Sequence, residues 1–329
     1  MPTINEIAKK SGVSRSTVSR VLNHHPYVSE TKRLAVLQAI QEINYIPNSI
    51  ARQLRSKSTR TVAILVPHAH HPFFSQLIRS ISQTLMEKGY KASIIQTFYQ
   101  KDIELDTFQL LKSKEIDGII LTSLENQWVQ IEPFLNFGPI ILCNEYEEKA
   151  PIPIFCYDEY DVAFKATSYL INQGYQKIGF CFDVSHSKAQ KLRRKGYTDA
   201  LRKAQLPIRK EWIFQGAISI EDGFRIFQQL VSLENRPTAI FTGNDQVAAG
   251  MIKAATNNGY AIPSDLAIIG FDNQRICEVT TPTITTIDIP IMQVGFETAT
   301  SMVECLVNNQ KVKRMVKKFK GDLCIRESC

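Results

Sequence analysis

Features typical of membrane, secreted and metal-dependent proteins are missing from this chain of 329 residues. No run of about 18 apolar residues is present, so we expect no membrane-spanning helix. The first residues, MPTINEIAKKSGVS, have no apolar core and do not form a secretory signal. The seven cysteines are scattered without a C-x-x-C pair, which predicts free thiols in a reducing compartment. We therefore expect a cytoplasmic protein that is not bound to a membrane.

Recognisable catalytic motifs are also missing. The sequence contains no P-loop, no G-x-G-x-x-G turn, no Ser-His-Asp arrangement and no metal motif. We therefore expect no enzyme, no cofactor and no bound metal. The HAHH stretch at residues 68–71 has no matching Asp or Cys partner, and we interpret it as a loop, with ligand contacts as the alternative.

Positive charge, by contrast, is concentrated at one end. The formal net charge is +7, and residues 1–60 contain ten Lys or Arg against three Glu, so the rest of the chain is balanced. Cations that replace counterions on phosphates supply much of the affinity for nucleic acids. A basic module joined to a neutral body predicts that the N-terminal segment binds a polyanion.

This basic segment has the pattern of a helix-turn-helix. Thr3 can cap a first helix, which Gly12 ends, and Ser14 can cap a second helix that runs to about Leu22. A third helix is predicted over residues 29–43. Its apolar residues are Leu34, Leu37, Ala39 and Ile40. The pattern therefore predicts a small three-helix unit.

The second helix has a polar outer face. Arg15 and Arg20 can read guanine, and Ser16 and Ser19 can donate to or accept from several bases in the major groove. The alternative is a solvated helix face, which is common in globular proteins.

Two segments resemble the DNA-binding headpiece of the LacI/GalR family of bacterial transcription regulators. The first family pattern, IxEIAKxSGVSxxTVSRVLN, is present here as INEIA (4–8), SGVS (11–14) and TVSRVLN (17–23). The second family pattern, TKRxxVxxAIxEINYxPNxIARxLR, follows it and is present here with YIPN at residues 45–48. The resemblance implies a DNA-binding domain at residues 1–46 and a hinge helix with linker at residues 47–60. It implies DNA contacts from Thr3, Ser14, Arg15, Ser16, Thr17, Ser19, Arg20, Asn23, Asn48, Arg52, Leu54 and Arg55.

Leu54 is expected to act as a wedge. In the family, the hinge helix orders on operator DNA and inserts a leucine into the minor groove, and Leu54 occupies that position here. An apolar wedge partly unstacks a base step and bends the duplex. The alternative is a core leucine on a short helix.

From Thr61 onward, short apolar strands alternate with amphipathic helices. Strands are predicted at residues 61–66, 91–96, 117–122, 139–143, 177–182, 238–242 and 266–271. One helix is predicted over residues 75–88, with Ile78, Ile81, Leu85 and Met86 facing inward. Strand–helix alternation favours parallel sheets with right-handed crossovers.

By resemblance, residues 61–329 form an α/β periplasmic-binding-protein-like domain that binds an effector and dimerises. The first lobe is expected at about residues 61–160 and 291–320. The second lobe is expected at about residues 161–290 and 321–329.

Ligands of parallel sheets bind beyond the carboxyl ends of the strands. At such positions the family resemblance implies an effector site of Phe73, Phe74, Asn144, Arg193, Asn244 and Asp272. The alternatives are packing for the aromatic residues, surface exposure for Arg193, and capping for Asn244 and Asp272.

Two positions depart from the family pattern. Asn144 stands where many sugar-binding members have an acid, and Ile218 where some have an aromatic side chain. The effector is therefore expected to be a sugar or sugar derivative that differs from a typical hexose.

The resemblance implies a homodimeric repressor of carbohydrate metabolism genes, bound to a palindromic double-stranded DNA operator and controlled by a small effector. One alternative is a catabolite-control regulator modulated by a phosphorylated carrier protein, although residues 277–281 (CEVTT) lack the expected basic contact. A solute-binding protein is disfavoured by the basic headpiece and the missing signal.

Overall fold

The computed structural model describes residues 3–22, 25–45, 58–183, 187–308 and 313–329. By its internal contacts the chain divides into two compact units, Met1–Ser58 and Thr59–Cys329. Among the described residues, no helix combines the length and apolar character that a membrane crossing requires.

The first unit contains three helices, α1 (Ile4–Ser11), α2 (Arg15–Leu22) and α3 (Glu30–Glu42). The Thr3 hydroxyl accepts a hydrogen bond from the Glu6 backbone N–H at 3.4 Å, and thereby caps α1. Gly12 ends α1 in the left-handed conformation, with φ of 66°. The caps therefore set the predicted turn between α1 and α2.

The core of this unit consists of small and branched apolar side chains from all three helices: Ile7, Ala8, Val18, Val21, Val36 and Ala39. Leu34 and Leu37, which the sequence pattern counted among the apolar residues of α3, are 58% and 45% exposed. Val36 and Ala39 pack against α1 and α2 instead. They lie three positions apart and so share one face of α3, which is the covered face.

The second unit contains two six-stranded sheets. The first sheet has the strand order β11-β5-β4-β3-β1-β2, and all of its pairs are parallel. Its strands are β1 (Thr61–Val66), β2 (Lys91–Gln96), β3 (Gly118–Leu121), β4 (Ile140–Cys143), β5 (Pro153–Tyr157) and β11 (Met315–Phe319).

The second sheet has the order β12-β10-β9-β8-β6-β7 and is parallel except for β12, which runs antiparallel to β10. Its strands are β6 (Ile178–Phe182), β7 (Ile213–Gln215), β8 (Ala239–Phe241), β9 (Ala267–Phe271), β10 (Thr285–Asp288) and β12 (Asp322–Cys324).

Helices of this unit pack in pairs: α4 on α12, α7 on α8 and α9 on α10. They are α4 (Pro72–Glu87), α5 (Lys101–Lys112), α6 (Trp128–Ile131), α7 (Glu159–Asn172), α8 (Lys188–Lys203), α9 (Ile220–Val231), α10 (Asp245–Asn257), α11 (Ile276–Val279) and α12 (Ile291–Asn308). Short 3₁₀ segments span Glu132–Asn136 and Lys210–Trp212.

The chain passes between the two sheets three times: between β5 and α7, between β10 and α12, and between β11 and β12. Each sheet with its helices therefore forms one lobe. The first lobe carries β1–β5, β11, α4–α6 and α12, and the second carries β6–β10, β12 and α7–α11.

Helix α4 differs from its prediction. It begins three residues earlier, at Pro72, which suits the first helical turn because its nitrogen needs no partner there. Met86, predicted to face inward, is 69% exposed. The buried face carries Phe73, Leu77, Ile81 and Leu85, which recur every four residues and so share one face.

A candidate effector cleft and a basic helix face

A cleft with roughly 800 Å³ of space, partly open to solvent, lies between the lobes of the second unit. Residues from both lobes line it, and many of them follow the carboxyl ends of strands. This is where open parallel sheets bind ligands. All six residues of the predicted effector site border this cleft: Phe73, Phe74, Asn144, Arg193, Asn244 and Asp272.

The two phenylalanines lie in the first turn of α4. Their rings meet edge to face, with centroids 5.0 Å apart, and Phe73 also contacts the Tyr157 ring at 6.2 Å. Phe73 belongs to the core of the unit, so it both packs and borders the cleft. Together they give the cleft an apolar wall.

Asn144 follows β4 with a left-handed φ of 74°, a conformation that Asn tolerates better than most residues. Its side-chain amide donates to the Thr122 carbonyl at 3.2 Å, and its backbone N–H donates to the Phe155 carbonyl at 2.8 Å. These bonds join the ends of β3, β4 and β5. Asn144 is therefore held rigidly at the edge of the cleft.

Arg193 lies on α8 and is buried, so the surface alternative for it is wrong. Nε donates to Glu159 at 2.8 Å, and Nη1 donates to the Gly243 carbonyl at 2.8 Å. The guanidinium carbon lies 3.5 Å from the centre of the Phe271 ring. Among the described residues Nη2 has no hydrogen-bond partner, and Arg193 borders the cleft.

Asn244 caps α10. Its Oδ1 accepts from the Val247 backbone N–H at 2.9 Å, and its Nδ2 donates to the Ile218 carbonyl at 3.0 Å. The capping role, which was the alternative prediction for Asn244, is therefore observed. Asn244 also borders the cleft.

Asp272 is buried just after β9, where its carboxylate accepts from Gln274 Nε2 at 3.0 Å. Burial raises its pKa well above the usual value, the nearby Asp245 adds to this effect, and Arg193 opposes it. Carboxyls with a pKa perturbed by burial and neighbouring charges cluster at functional sites.

Several cleft residues were not predicted: Tyr99, Glu125, Glu145, Glu159 and Asp183. Asp183 directly follows β6, and Tyr99 and Glu125 lie within a few residues of β2 and β3. The strand-end rule would have selected these three. His71, interpreted from the sequence as a loop residue with ligand contacts as the alternative, borders the cleft and is buried at the start of α4.

Hydrogen bonds join the two lobes beside the cleft. Glu145 of the first lobe accepts from the Ser187 hydroxyl at 2.8 Å and from the Ala189 backbone N–H at 3.1 Å, both at the start of α8. Tyr99 of the first lobe donates to Asp183 of the second at 2.5 Å. The space between the lobes is therefore crossed by polar contacts.

The first unit presents the predicted polar face. Arg15, Ser16 and Arg20 are exposed on α2, because Val18 and Val21 occupy its buried side. The Ser14 hydroxyl lies 2.8 Å from that of Ser16 and accepts from the Thr17 backbone N–H at 3.2 Å. Thr17 and Ser19 are half-buried. The remaining predicted DNA contacts lie outside the described residues: Asn23, Asn48, Arg52, Leu54 and Arg55.

A helix-turn-helix unit joined to a two-lobed binding unit defines a DNA-binding regulator with an effector-binding domain. Residues 3–48 match the bacterial regulatory proteins of the lacI family, and residues 59–319 match the periplasmic binding proteins and sugar binding domain of the LacI family. The chain belongs to the LacI family, and it is a transcription regulator.

Relatives support this assignment. The NTD biosynthesis operon regulator NtdR of Bacillus subtilis (strain 168) is 53% identical over 328 residues, which is 100% of both chains. The repressor CytR of Escherichia coli (strain K12) is 33% identical and covers 90% of this chain and 87% of its own. The structure of the lac repressor dimer bound to operator and the anti-inducer ONPF superposes with a TM-score of 0.86 at 24% identity, covering 99% and 98% of the two chains, and so shows the same fold.

Proposed function

We propose that this regulator is a homodimeric cytoplasmic repressor of carbohydrate-related genes, released from or recruited to a palindromic operator by a sugar or sugar derivative. The observation that carries the proposal is the cleft between the lobes, where buried polar side chains from both lobes face a shared space beside an apolar wall. The match of this unit to a sugar binding domain supports the ligand class.

Operator recognition is assigned to the first unit. Two copies of α2 would enter successive major grooves, with Arg15, Ser16, Ser19 and Arg20 towards the bases. Thr3, Ser14 and Thr17 would support this contact near the phosphates. Asn23, just after α2, would add a further contact of the first unit. The hinge would follow with Asn48, Arg52, Leu54 and Arg55, of which Leu54 is the wedge that bends the centre of the site.

Effector control is assigned to the bonds that cross the cleft. A ligand that contacts Arg193 on one lobe and Asn144 on the other changes the balance between open and closed arrangements of the lobes. The Glu145–Ser187 and Tyr99–Asp183 hydrogen bonds would respond to that change. Such coupling between two binding events is typically about 1–3 kcal/mol and is reciprocal.

The relatives' names agree with regulation of an operon and, for CytR, with repression. None of the names cited above mentions a phosphorylated carrier protein, and the proposal does not include one.

The test is selection of bound fragments from the protein's own genome, followed by a salt titration of the retained sites. We expect one palindromic sequence beside carbohydrate genes, bound with a steep salt dependence that reflects phosphate contacts. Binding that is equally strong on every fragment would contradict sequence-specific regulation.

A further inference from the structure

Two side chains that border the cleft, one from each lobe, have buried polar atoms without a partner. Neither ring nitrogen of His71 and not the side-chain oxygen of Gln190 forms a hydrogen bond among the described residues. Other described residues share this property, but none of them borders the cleft. Buried polar atoms in proteins are normally satisfied, so each exception calls for a physical reason. Because both exceptions border the same space, they point to a group that enters it.

His71 is the N-cap of α4, on the first lobe, and it is only 8% exposed. Its side chain forms no hydrogen bond to the helix, and its ring meets the Phe74 ring edge to face, with centroids 5.9 Å apart. Burial, with smaller effects of His68 and His70, lowers its pKa to about 4. The nearby Ile218 backbone opposes the shift without forming a hydrogen bond of normal geometry. The ring is therefore neutral near pH 7, and a neutral imidazole has one nitrogen that accepts a hydrogen bond.

Gln190 lies in the first turn of α8, on the second lobe, three residues after the N-cap Ser187. In a capping box, the side chain at this position accepts a hydrogen bond from the N-cap backbone N–H. The start of α9 has a complete box, in which Asp222 accepts from the Ser219 backbone N–H at 3.0 Å. At the start of α8 the Gln190 backbone N–H donates to the Ser187 hydroxyl at 3.3 Å, but Gln190 Oε1 accepts no hydrogen bond from the described residues. This oxygen therefore does not cap its own helix, although its position would allow it.

We propose that His71 and Gln190 determine the specificity of the cleft, each by accepting a hydrogen bond from a hydroxyl group of the effector. The inference rests on the proposed function and deepens it, since it names two residues that select the ligand of the same cleft. A ligand that lacks a hydroxyl at either position leaves a buried acceptor without a partner, and such a loss discriminates strongly between similar ligands. The pair therefore selects a ligand with hydroxyls directed at both lobes.

The first test is the stability of the ligand-free protein. His71→Leu and Gln190→Leu remove polar atoms that have no partner, so we expect the midpoint of urea unfolding to stay the same or to rise. The matched control is Gln274→Leu, which should lower the midpoint. Gln274 is a buried glutamine that accepts from Gln246 at 2.7 Å and donates to Asp272 at 3.0 Å. A midpoint lowered in both cleft variants would show that the fold itself needs these side chains, and would overturn the inference.

The second test is isothermal titration calorimetry of the full chain with neutral sugars. The probes are glucose, galactose, mannose, ribose, sucrose and maltose, followed by the monodeoxy analogues of the sugar that binds most tightly. We expect the loss of one hydroxyl to weaken binding to the wild type about tenfold, because a buried acceptor is left without a donor. The same analogue should lose little further affinity in the variant that lacks that acceptor, since both changes remove one hydrogen bond. A different analogue should behave in this way with the other variant.

Operator affinity, measured with and without the same sugar, separates this inference from the proposed function. If a sugar changes operator affinity but binds the wild type and both Leu variants equally, the inference is wrong and the proposed function stands. If every analogue loses affinity by the same factor in all three proteins, the inference is likewise wrong. If binding depends on both residues without changing operator affinity, the inference stands and effector control is wrong. If no sugar of the panel binds the wild type, the ligand class of the proposed function is wrong and the inference fails with it.

Discussion

At the scale of single residues, the guanidinium of Arg193 is held by groups from three distant parts of the chain. Glu159 comes from α7, the Gly243 carbonyl follows β8, and the Phe271 ring ends β9. The stacking and the two directed hydrogen bonds exploit the planar shape of arginine, which lysine does not share. Arg193 therefore links the framework of the second lobe to the cleft.

Replacing Arg193 should cost stability as well as ligand affinity. Arg193→Ala leaves the buried Glu159 carboxylate without its partner, and we expect the free energy of unfolding to fall by roughly 3–5 kcal/mol. Urea unfolding monitored by circular dichroism measures this. Arg194→Ala, an exposed neighbour on the same helix, should change it by less than about 0.5 kcal/mol. Equal stability of the two variants would contradict the structural role of the pair.

Asp245 is a second buried charge, at the first residue of α10. Its carboxylate accepts from the Gln274 backbone N–H at 2.7 Å and from the Thr286 hydroxyl at 2.5 Å. Burial raises its pKa to about 7 although these hydrogen bonds oppose the shift. The side chain ties α10 to the segments around β9 and β10, close to Asn244 of the cleft.

A pH dependence follows from Asp245. Its pKa in the folded state, about 7, lies above the ordinary 3.8, so the folded state binds more protons between these values. Asp245 therefore stabilises the fold less as pH rises from about 4 to 7, by up to about 1.4 kcal/mol per pH unit. Asp245→Asn should remove this part of the slope in unfolding experiments across that range. The exposed control Asp322→Asn should keep the wild-type slope; identical slopes in both variants would show that Asp245 does not titrate as described.

At the scale of elements, α9 and α10 approach each other backbone to backbone. A Cβ atom placed on Gly250 would lie 2.1 Å from the Ile220 carbonyl oxygen, and one on Gly223 would lie 2.4 Å from the Val247 carbonyl oxygen. Both distances are too short for any side chain. Because α10 begins at the cap formed by Asn244, this contact also positions one wall of the cleft.

Gly250→Ala should push the two helices apart. We expect a loss of about 1–3 kcal/mol in the free energy of unfolding and weaker effector binding, because overpacking forces backbone shifts. Lys253→Ala, on the exposed side of α10, serves as control and should alter stability by less than about 0.5 kcal/mol. A Gly250→Ala protein as stable as wild type would mean that the helices can separate freely.

Helix α2 is the element on which operator specificity depends in our proposal. Arg20→Ala should weaken specific binding by about 1–3 kcal/mol and relax the preference at one operator position. Binding to a set of operators with single base changes, measured by fluorescence anisotropy, distinguishes this from a phosphate contact. Uniform weakening across all sequences, as expected for loss of an exposed cation such as Lys32 on α3, would place Arg20 at the backbone instead.

At the scale of the whole molecule, charge and packing divide the chain at the same place. The excess positive charge lies within residues 1–60, and the second unit begins at Thr59 with a core of its own. The Asp117 carboxylate accepts hydrogen bonds from the Thr59 backbone and hydroxyl and from the Arg60 backbone, at 2.8–3.0 Å. These bonds anchor the start of the second unit to β3.

A protein that begins at Thr59 should therefore fold and bind effector with unchanged affinity, but it should not bind DNA. Gel-shift assays with the selected operator and calorimetry with the effector measure the two activities separately. Retained DNA binding by the truncated protein would contradict the assignment of DNA recognition to the first unit.

Much of this organisation follows from the sequence alone. Helix boundaries around Thr3 and Gly12, and strands such as Thr61–Val66, depend on hydrogen bonds and apolar periodicity within a few residues. Family motifs in the first unit identified the class of regulator, the strand-end rule selected Asp272 for the cleft, and the family resemblance selected Arg193. These features are local, or they follow from parallel topology, and so they can be read along the chain.

Only the tertiary structure decided which of several equivalent apolar or polar residues face inward. Met86 and Leu34 are as apolar as the residues that replace them in the core, and the crossing of neighbouring helices determines which side is covered. The cleft carboxyls come from both lobes, and Glu145 meets Ser187 across 42 positions of sequence. His71 is shielded from solvent because other elements pack over it. The burial and the charge of side chains in this cleft arise from contacts between segments that are distant in sequence. Local sequence patterns do not predict such contacts.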